Sequence, residues 1–156
     1  MIENNWITLV KPNKVDYKIS DNKKFGTVVI EPLEKGFGIT LGNALRRVLL
    51  SSLQGTAISS IKINGVLHEF STIEGVREDV TDIIMNLKNV TFNSKSSHTQ
   101  KLSLNIKGPK EVLSSDFDDN PDVEIIDKDA VIMNVDSNRE VNLEIFLDVN
   151  KGYVSA

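Results

Sequence analysis

The chain has 156 residues and a formal net charge of -4, and 40% of its residues are hydrophobic while 26% are charged. This composition is typical of a folded globular protein rather than of a disordered chain. Because cysteine is absent, disulfides, thiol nucleophiles and cysteine-ligated metal sites are excluded. Two histidines, His68 and His98, are the only candidates for an imidazole base or a soft metal ligand.

The charge is unevenly distributed along the chain. Between residues 111 and 150, twelve acidic residues stand against two basic ones. Such a segment repels a phosphate backbone, so we do not expect this chain to bind DNA directly. The N-terminal MIENNWITLV has neither the basic start nor the long apolar run of a secretory signal. No apolar run approaches the roughly 18 residues of a membrane span, and we therefore expect a cytoplasmic protein without membrane contact.

The first predicted elements are two strands. Polar and apolar residues alternate over Lys14–Ile19, Asp21 and Asn22 can form a turn, and Phe25–Ile30 is rich in β-branched residues. This pattern predicts a β-hairpin that ends before Pro32, because proline cannot donate a ladder hydrogen bond.

The stretch EPLEKGFGITLGNALRRVLLSSL predicts the first helix, with Thr40 as its N-cap and an end before Gln54. Its apolar stripe consists of Leu41, Ala44, Leu45, Val48 and Leu49. Arg46, Arg47 and Leu50 lie on another side of the helix. An arginine pair beside an apolar anchor is typical of a protein interface, whereas one exposed leucine is ordinary on any protein. Periodicity does not decide between these two interpretations.

Asn64 and Gly65 separate two alternating runs, residues 57–63 and 66–70. An Asn-Gly pair in this position predicts a tight hairpin turn, because the turn needs positive φ at both central residues. His68 would then lie in the second strand of the hairpin, in a structural role.

Residues 71–90 predict a second helix that ends at Asn89, and its apolar stripe comprises Val76, Val80, Ile83, Ile84 and Leu87. The later part of the chain predicts short strands at Val90–Phe92, Leu102–Ile106, Val123–Ile126, Val131–Val135 and Val141–Val149. Because the helices come early and strands dominate later, the fold class is predicted to be α+β.

The segment GFGITLG invites a nucleotide-binding interpretation, because Gly36, Gly38 and Gly42 surround the start of a helix. The dinucleotide fingerprint would need its third glycine at position 41, which is a leucine, and the P-loop lysine is missing. A tight strand-to-helix turn is the better interpretation. No nucleophile, base and oxyanion donor converge in the sequence, so the residues indicate a binding or assembly module.

Four blocks of the sequence resemble the N-terminal domain of the alpha subunit of bacterial DNA-directed RNA polymerase. In the family's order they are EPLEKGFGITLGNALRRVLLSSL, IKINGVLHEFSTIEGV, REDVTDIIMNLK and the terminal KGYV. The opening LVKPNKVDY and the later DVEIID are also similar to the family. The first block is far longer than a motif that arises by chance.

The resemblance implies a noncatalytic scaffold. In that family two alpha subunits dimerise, and the dimer recruits the beta and beta-prime subunits, which build the nucleotidyltransferase site. The resemblance therefore implies that this chain carries no catalytic residue, no metal site and no cofactor. Its partners would be a second alpha subunit, beta and beta-prime.

The resemblance also implies contact residues. The expected dimer interface consists of Leu41, Leu45, Val48 and Leu49. Contact with beta is expected from Arg46, Arg47, Leu50 and Lys88. Contact with beta-prime is expected from Asp82.

The family domain has two lobes, a dimerisation lobe and a β-rich lobe inserted into it. By resemblance, residues 1–53 would be the first half of the dimerisation lobe and residues 54–156 the inserted lobe. The family's second half of the dimerisation lobe and its DNA-binding C-terminal domain would follow KGYVSA and are absent from this sequence, so we expect weakened dimerisation. The alternatives are a stand-alone nucleotide-binding protein and a nonfunctional or regulatory fragment of the alpha subunit.

Overall fold

A computed structural model describes residues 7–21, 25–136 and 138–154 of the chain. The chain divides into two compact units, Met1–Ser52 and Leu53–Ala156. The first unit contains the antiparallel strands β1 (Lys14–Ile19) and β2 (Gly26–Glu31), followed by helix α1 (Phe37–Ser52). The predicted hairpin is confirmed, although Asn22 of its predicted turn lies outside the described residues.

The second unit is mostly β-structure with one helix packed on it. Its elements are β3 (Gln54–Ile63), α2 (Val80–Lys88), β4 (Phe92–Ser94), β5 (Gln100–Lys107), β6 (Lys110–Leu113), a 3-10 turn (Ser114–Asp116), β7 (Val123–Ile125), β8 (Val131–Val135) and β9 (Glu140–Lys151). Five strands form an antiparallel sheet in the order β5-β9-β3-β4-β7, and β6 pairs with β8. The predicted α+β class is confirmed.

Alternation along β9 explains how the sheet acquires one apolar face. Its buried residues are Val141, Leu143, Ile145 and Leu147, and each intervening residue is only half-buried. Leu102 and Leu104 of β5 lie directly opposite Ile145 and Leu143. Because successive side chains of a strand point to opposite faces, these residues share one face and build the core there.

Helix α2 covers part of this core with three buried residues, Val80, Ile83 and Leu87. Asp79 is its N-cap, and the carboxylate of Asp79 accepts the backbone N–H of Asp82 at 2.7 Å. Such a cap satisfies one of the free amides in the first turn. Asn89 is the C-cap, as its position in the sequence predicts.

The predicted Asn-Gly hairpin is wrong. Gly65 does adopt a φ of 80° in a turn, but residues 66–70 form no strand. Ile63 pairs instead with Leu143, and the Asn64 N–H donates to the Asn142 carbonyl at 3.0 Å. The local turn is retained, while the partner of β3 is the long apolar β9, which is distant in sequence.

Three further differences concern element boundaries. Helix α1 begins at Phe37, so Thr40 is an interior residue and not the N-cap. The second helix begins at Val80 rather than at residue 71, because the preceding segment forms isolated bridges, including one between Val76 and Val135. Strand β6 has no counterpart among the predicted strands, since its four residues alternate too briefly to give a periodic signal.

Candidate functional site

Helix α1 is an exposed apolar surface. None of its sixteen residues, all of which the structure describes, is buried. Leu41 is half-buried, while exposure rises from 46% at Leu45 through 53% at Val48 and 58% at Leu49 to 65% at Leu50. Large apolar residues grouped in this way mark sites of protein contact.

The hairpin of the first unit is equally exposed. Val15, Tyr17, Ile19 and Val28 all leave more than half of their surface open to solvent. Among the residues the structure describes, every buried hydrophobic side chain belongs to the second unit. The first unit therefore carries apolar surface without a core of its own in this chain.

The arginine pair lies on the same helix as these apolar residues. Arg46 and Arg47 are exposed, and the Arg47 carbonyl accepts the Ser51 hydroxyl at 2.6 Å near the helix end. Leu50 lies one turn beyond the arginines. The structure thus brings the three predicted contact residues of this helix together on α1, beside its apolar stripe.

The other two predicted contact residues lie on α2. Asp82 is in its first turn and Lys88 is its last residue, and both are exposed. Met85 lies between them and is 60% exposed. A carboxylate in the first turn and a cation in the last turn both complement the helix dipole. This face of α2 is opposite to the buried one.

A loop that we call the strap, residues 72–79, leads into α2 and lies along β8. Its Gly75 carbonyl accepts the Asp136 N–H at 2.9 Å, and the Arg77 N–H donates to the Asn134 carbonyl at 2.9 Å. The Glu78 carboxylate receives two hydrogen bonds from Asn134, at 2.6 Å from the backbone N–H and 2.8 Å from Nδ2.

These contacts favour a charged Glu78. Burial is the largest influence and by itself would raise the pKa of Glu78. The hydrogen bonds from Asn134 and from the backbone N–H of Glu78, together with the charge of Arg77, outweigh burial and hold the pKa below its ordinary value. Glu78 is therefore ionised at neutral pH and accepts hydrogen bonds through both oxygens.

A groove of about 460 Å³ lies beside α2, with walls formed by Ile61, Ile63, Val66, Val80 and Ile84, among others. Leu67 at its rim is 97% exposed, and Phe70 in the same segment is 81% exposed. His68 is also exposed, with Nδ1 3.1 Å from the Ser71 hydroxyl, and it lies in a bend rather than in the predicted strand.

The glycines of GFGITLG do not form a phosphate cradle. Gly36 has a φ of 94° in the turn before α1, which agrees with the predicted strand-to-helix turn. Gly38 and Gly42 lie inside α1, with no neighbouring atom within 4 Å of an added Cβ. The Gly42 amide has a carbonyl partner inside the helix, so only Gly38, in the first turn, lacks an intrahelical partner, and the P-loop lysine that would complete a phosphate site is missing.

Sequence reasoning missed Met85, Leu67 and Phe70 as exposed apolar residues, and it missed Glu78 as the partner of Asn134. The spacing of Met85 three residues after Asp82 was an available signal, because such residues are neighbours on a helix. The pairing of Glu78 with Asn134 spans 56 positions and has no local signal.

A family model described as RNA polymerase Rpb3/RpoA insert domain matches residues 61–156, which is more than half of the chain. Within the described ranges, no cluster of three or more His, Cys, Asp and Glu residues could hold a metal ion. None of the helices that the structure describes combines the length and apolar character needed to cross a membrane.

Proposed function

Because the chain belongs to the RNA polymerase Rpb3/RpoA insert domain family, and is thus a subunit of RNA polymerase, we propose that it is a noncatalytic assembly scaffold. In this role it dimerises and recruits the beta and beta-prime subunits. It contributes no catalytic residue, metal or cofactor to the assembly. The observation that carries the proposal is α1, sixteen residues with an apolar stripe and two arginines and no buried side chain.

The exposed stripe supports a protein partner for α1. An exposed face of this size costs solubility, and it becomes favourable when another protein covers it. We assign the stripe of Leu41, Leu45, Val48 and Leu49 to the contact with a second alpha subunit. The family match lies within the second unit, so the assignment rests on the exposure of α1 together with its resemblance to the alpha subunit.

The arginine side of α1 is assigned to the beta subunit. Arg46, Arg47 and Leu50 combine planar cationic groups with an apolar anchor, a combination that is enriched at interface hot spots. Lys88 of α2 belongs to the same assignment. Asp82, at the other end of α2, is assigned to beta-prime.

The beta assignment is tested by co-purifying the chain with the beta subunit. Arg47→Ala and Leu50→Ala should each weaken binding by roughly 30-fold, which corresponds to about 2 kcal/mol lost at a hot spot. Lys18→Ala and Val28→Ala are matched controls, because both residues are exposed in the hairpin of the first unit. Unchanged binding in both α1 variants would remove the assignment.

The beta-prime assignment is tested separately, on the complex of this chain with beta. Asp82→Lys reverses a charge at the α2 face and should reduce beta-prime recruitment by at least tenfold, since like charges are costly at an interface. Asp119→Lys makes the same change at another exposed position of the second unit and should have no effect. If both variants recruit beta-prime equally well, Asp82 is not a contact residue.

The same experiment distinguishes a scaffold from a regulatory fragment. A scaffold carries beta and then beta-prime into one complex, whereas a regulatory fragment binds beta and stops there. Size-exclusion chromatography with mass measurement separates the two complexes by size.

A further inference from the structure

The face of α2 that carries Asp82, Met85 and Lys88 needs a defined orientation if it is to meet a partner. The helix has only nine residues, which is too short for stability on its own. Its buried face consists of Val80, Ile83 and Leu87, and apolar burial is not directional. The apolar stripe decides which side of the helix faces the sheet, and hydrogen bonds of fixed geometry narrow its rotation further.

Two such contacts join α2 and its approach to β8. Just before the helix, Glu78 accepts both donors of Asn134. Near the other end, Asn86 Nδ2 donates to the Ile132 carbonyl at 2.9 Å. Residues 132, 133 and 135 of β8 are buried, so this strand is a fixed base for both contacts.

We propose that Glu78 and Asn134 are positioning residues that hold α2 in the orientation in which its exposed face contacts another polymerase subunit. This inference rests on the proposed function, because it assumes that Asp82 contacts beta-prime. It assigns to the pair a role that is separate from the contact itself, since Glu78 is half-buried and turned toward β8.

The two donors of Asn134 restrict which side chain at position 78 can bind both of them. Only a carboxylate offers an acceptor oxygen to each of the two N–H groups of Asn134. A glutamine offers one acceptor oxygen and is neutral, so its NH2 group would face Asn134 Nδ2 and the Asn134 amide would have to rotate by half a turn to accept from it. An aspartate is one methylene shorter and cannot reach both donors at 2.6 Å and 2.8 Å without moving the strap.

The hydrogen-bond pattern of the pair predicts that a double variant restores what each single variant loses. Glu78→Gln should replace two charge-assisted hydrogen bonds with weaker neutral ones and force the Asn134 amide to rotate, and Asn134→Asp should place two carboxylates against each other. In the double variant, Glu78→Gln with Asn134→Asp, the side-chain NH2 at position 78 donates to the carboxylate at position 134, and the side-chain oxygen at position 78 accepts the backbone N–H of position 134. It also keeps the total charge of the pair.

Helix orientation and beta-prime binding are measured for four proteins: the wild type, the two single variants and the double variant. Residual dipolar couplings of the α2 amides report orientation relative to the β-sheet of the second unit, in the full chain. Beta-prime binding to the complex of the chain with beta is measured at a temperature where urea titration shows every variant fully folded. Glu74→Ala is the control, because it removes an exposed ion pair between the strap and Arg139 and does not touch Glu78.

Each single variant should change the α2 couplings and weaken beta-prime binding by about tenfold, and the double variant should return both to within threefold of the wild type. A purely stabilising pair would lower the urea midpoint without changing the couplings of the folded state, and this outcome would overturn the proposal. Singles that bind beta-prime as the wild type does would also overturn it. If the wild-type chain recruits no beta-prime, the proposed function fails, while the couplings still report whether Glu78 orients the helix.

Discussion

Individual side chains fix loops of the second unit through charge. Asp116 accepts the Leu113 N–H at 3.0 Å and lies 2.6 Å from Lys110 Nζ. Burial opposes its ionisation most strongly, but Lys110 and the Leu113 N–H together hold the pKa of Asp116 below its ordinary value of 3.8. A lowered pKa in the folded state means that the folded state favours the charged form.

Because the pKa of Asp116 is lowered in the folded state, its contribution to stability depends on pH. The stability that Asp116 contributes is fully present above its ordinary pKa and is lost as the pH falls through the lower pKa of the folded state. Asp116→Asn should therefore lower the free energy of unfolding by about 1–2 kcal/mol at pH 7. The difference from wild type should shrink below about pH 4 in urea titrations.

Asp118→Asn is the matched control for this prediction. Asp118 lies two residues away in the same loop and is exposed, so its substitution should have little effect at any pH. A difference between Asp116→Asn and wild type that stays constant from pH 7 to pH 3 would contradict the charge-based explanation.

At the scale of elements, substitutions in α1 should affect association without affecting folding. Because Leu45 and Val48 are about half exposed, replacing both with serine should change the free energy of unfolding by less than about 1 kcal/mol. The same change should abolish any self-association through α1. Sedimentation velocity and urea titration measure the two effects on one sample.

Ile58→Ser in β3 serves as the comparison for that double variant. Ile58 packs against the core of the second unit, so its replacement should destabilise the fold. If the α1 double variant is destabilised as strongly as Ile58→Ser, the helix has a structural role in the isolated chain.

Elements were predictable where their signal is local. The alternation of β1 and β9, the short apolar run of β8 and the cap residue at the end of α2 were sufficient to predict those elements. The Asn-Gly turn was also a local signal. The strand that pairs with β3 is nevertheless the longer of the two apolar candidates, because β9 has twelve residues. Neither the choice of β9 over residues 66–70 as the partner of β3 nor the bridges of the strap can be derived from neighbouring residues.

Across the whole molecule, stability is distributed unequally between the two units. The core residues among the described part of the chain all belong to the second unit, and a two-stranded hairpin is marginal without a packed face. Amide hydrogens of the first unit should therefore exchange much faster than those of β5 and β9. Hydrogen exchange at low protein concentration, where self-association is minimal, measures this directly.

Limited proteolysis tests the same division. Cleavage should begin in the first unit and leave a resistant fragment that starts near Leu53. Ile145 is fully buried, and Ile145→Ala should cost about 2–5 kcal/mol and make that fragment sensitive as well. Equal protection of both units in the monomeric wild type would contradict the prediction.

The α+β class and the exposed arginine side of α1 could be predicted from the sequence, because both follow from periodicity. The absence of any buried residue in α1 could not. An apolar stripe looks the same whether it faces the chain's own core or another protein. That difference depends on the rest of the assembly, which one sequence does not contain.

The pairing of β3 with β9 has a consequence for synthesis on the ribosome. Ile63 pairs with Leu143, which is translated eighty residues later. At about 5–20 residues per second, β3 waits roughly 4–16 s for its main partner. During that interval its alternating apolar residues form an unpaired edge on the nascent chain, and such edges are a target for chaperones and a risk for aggregation.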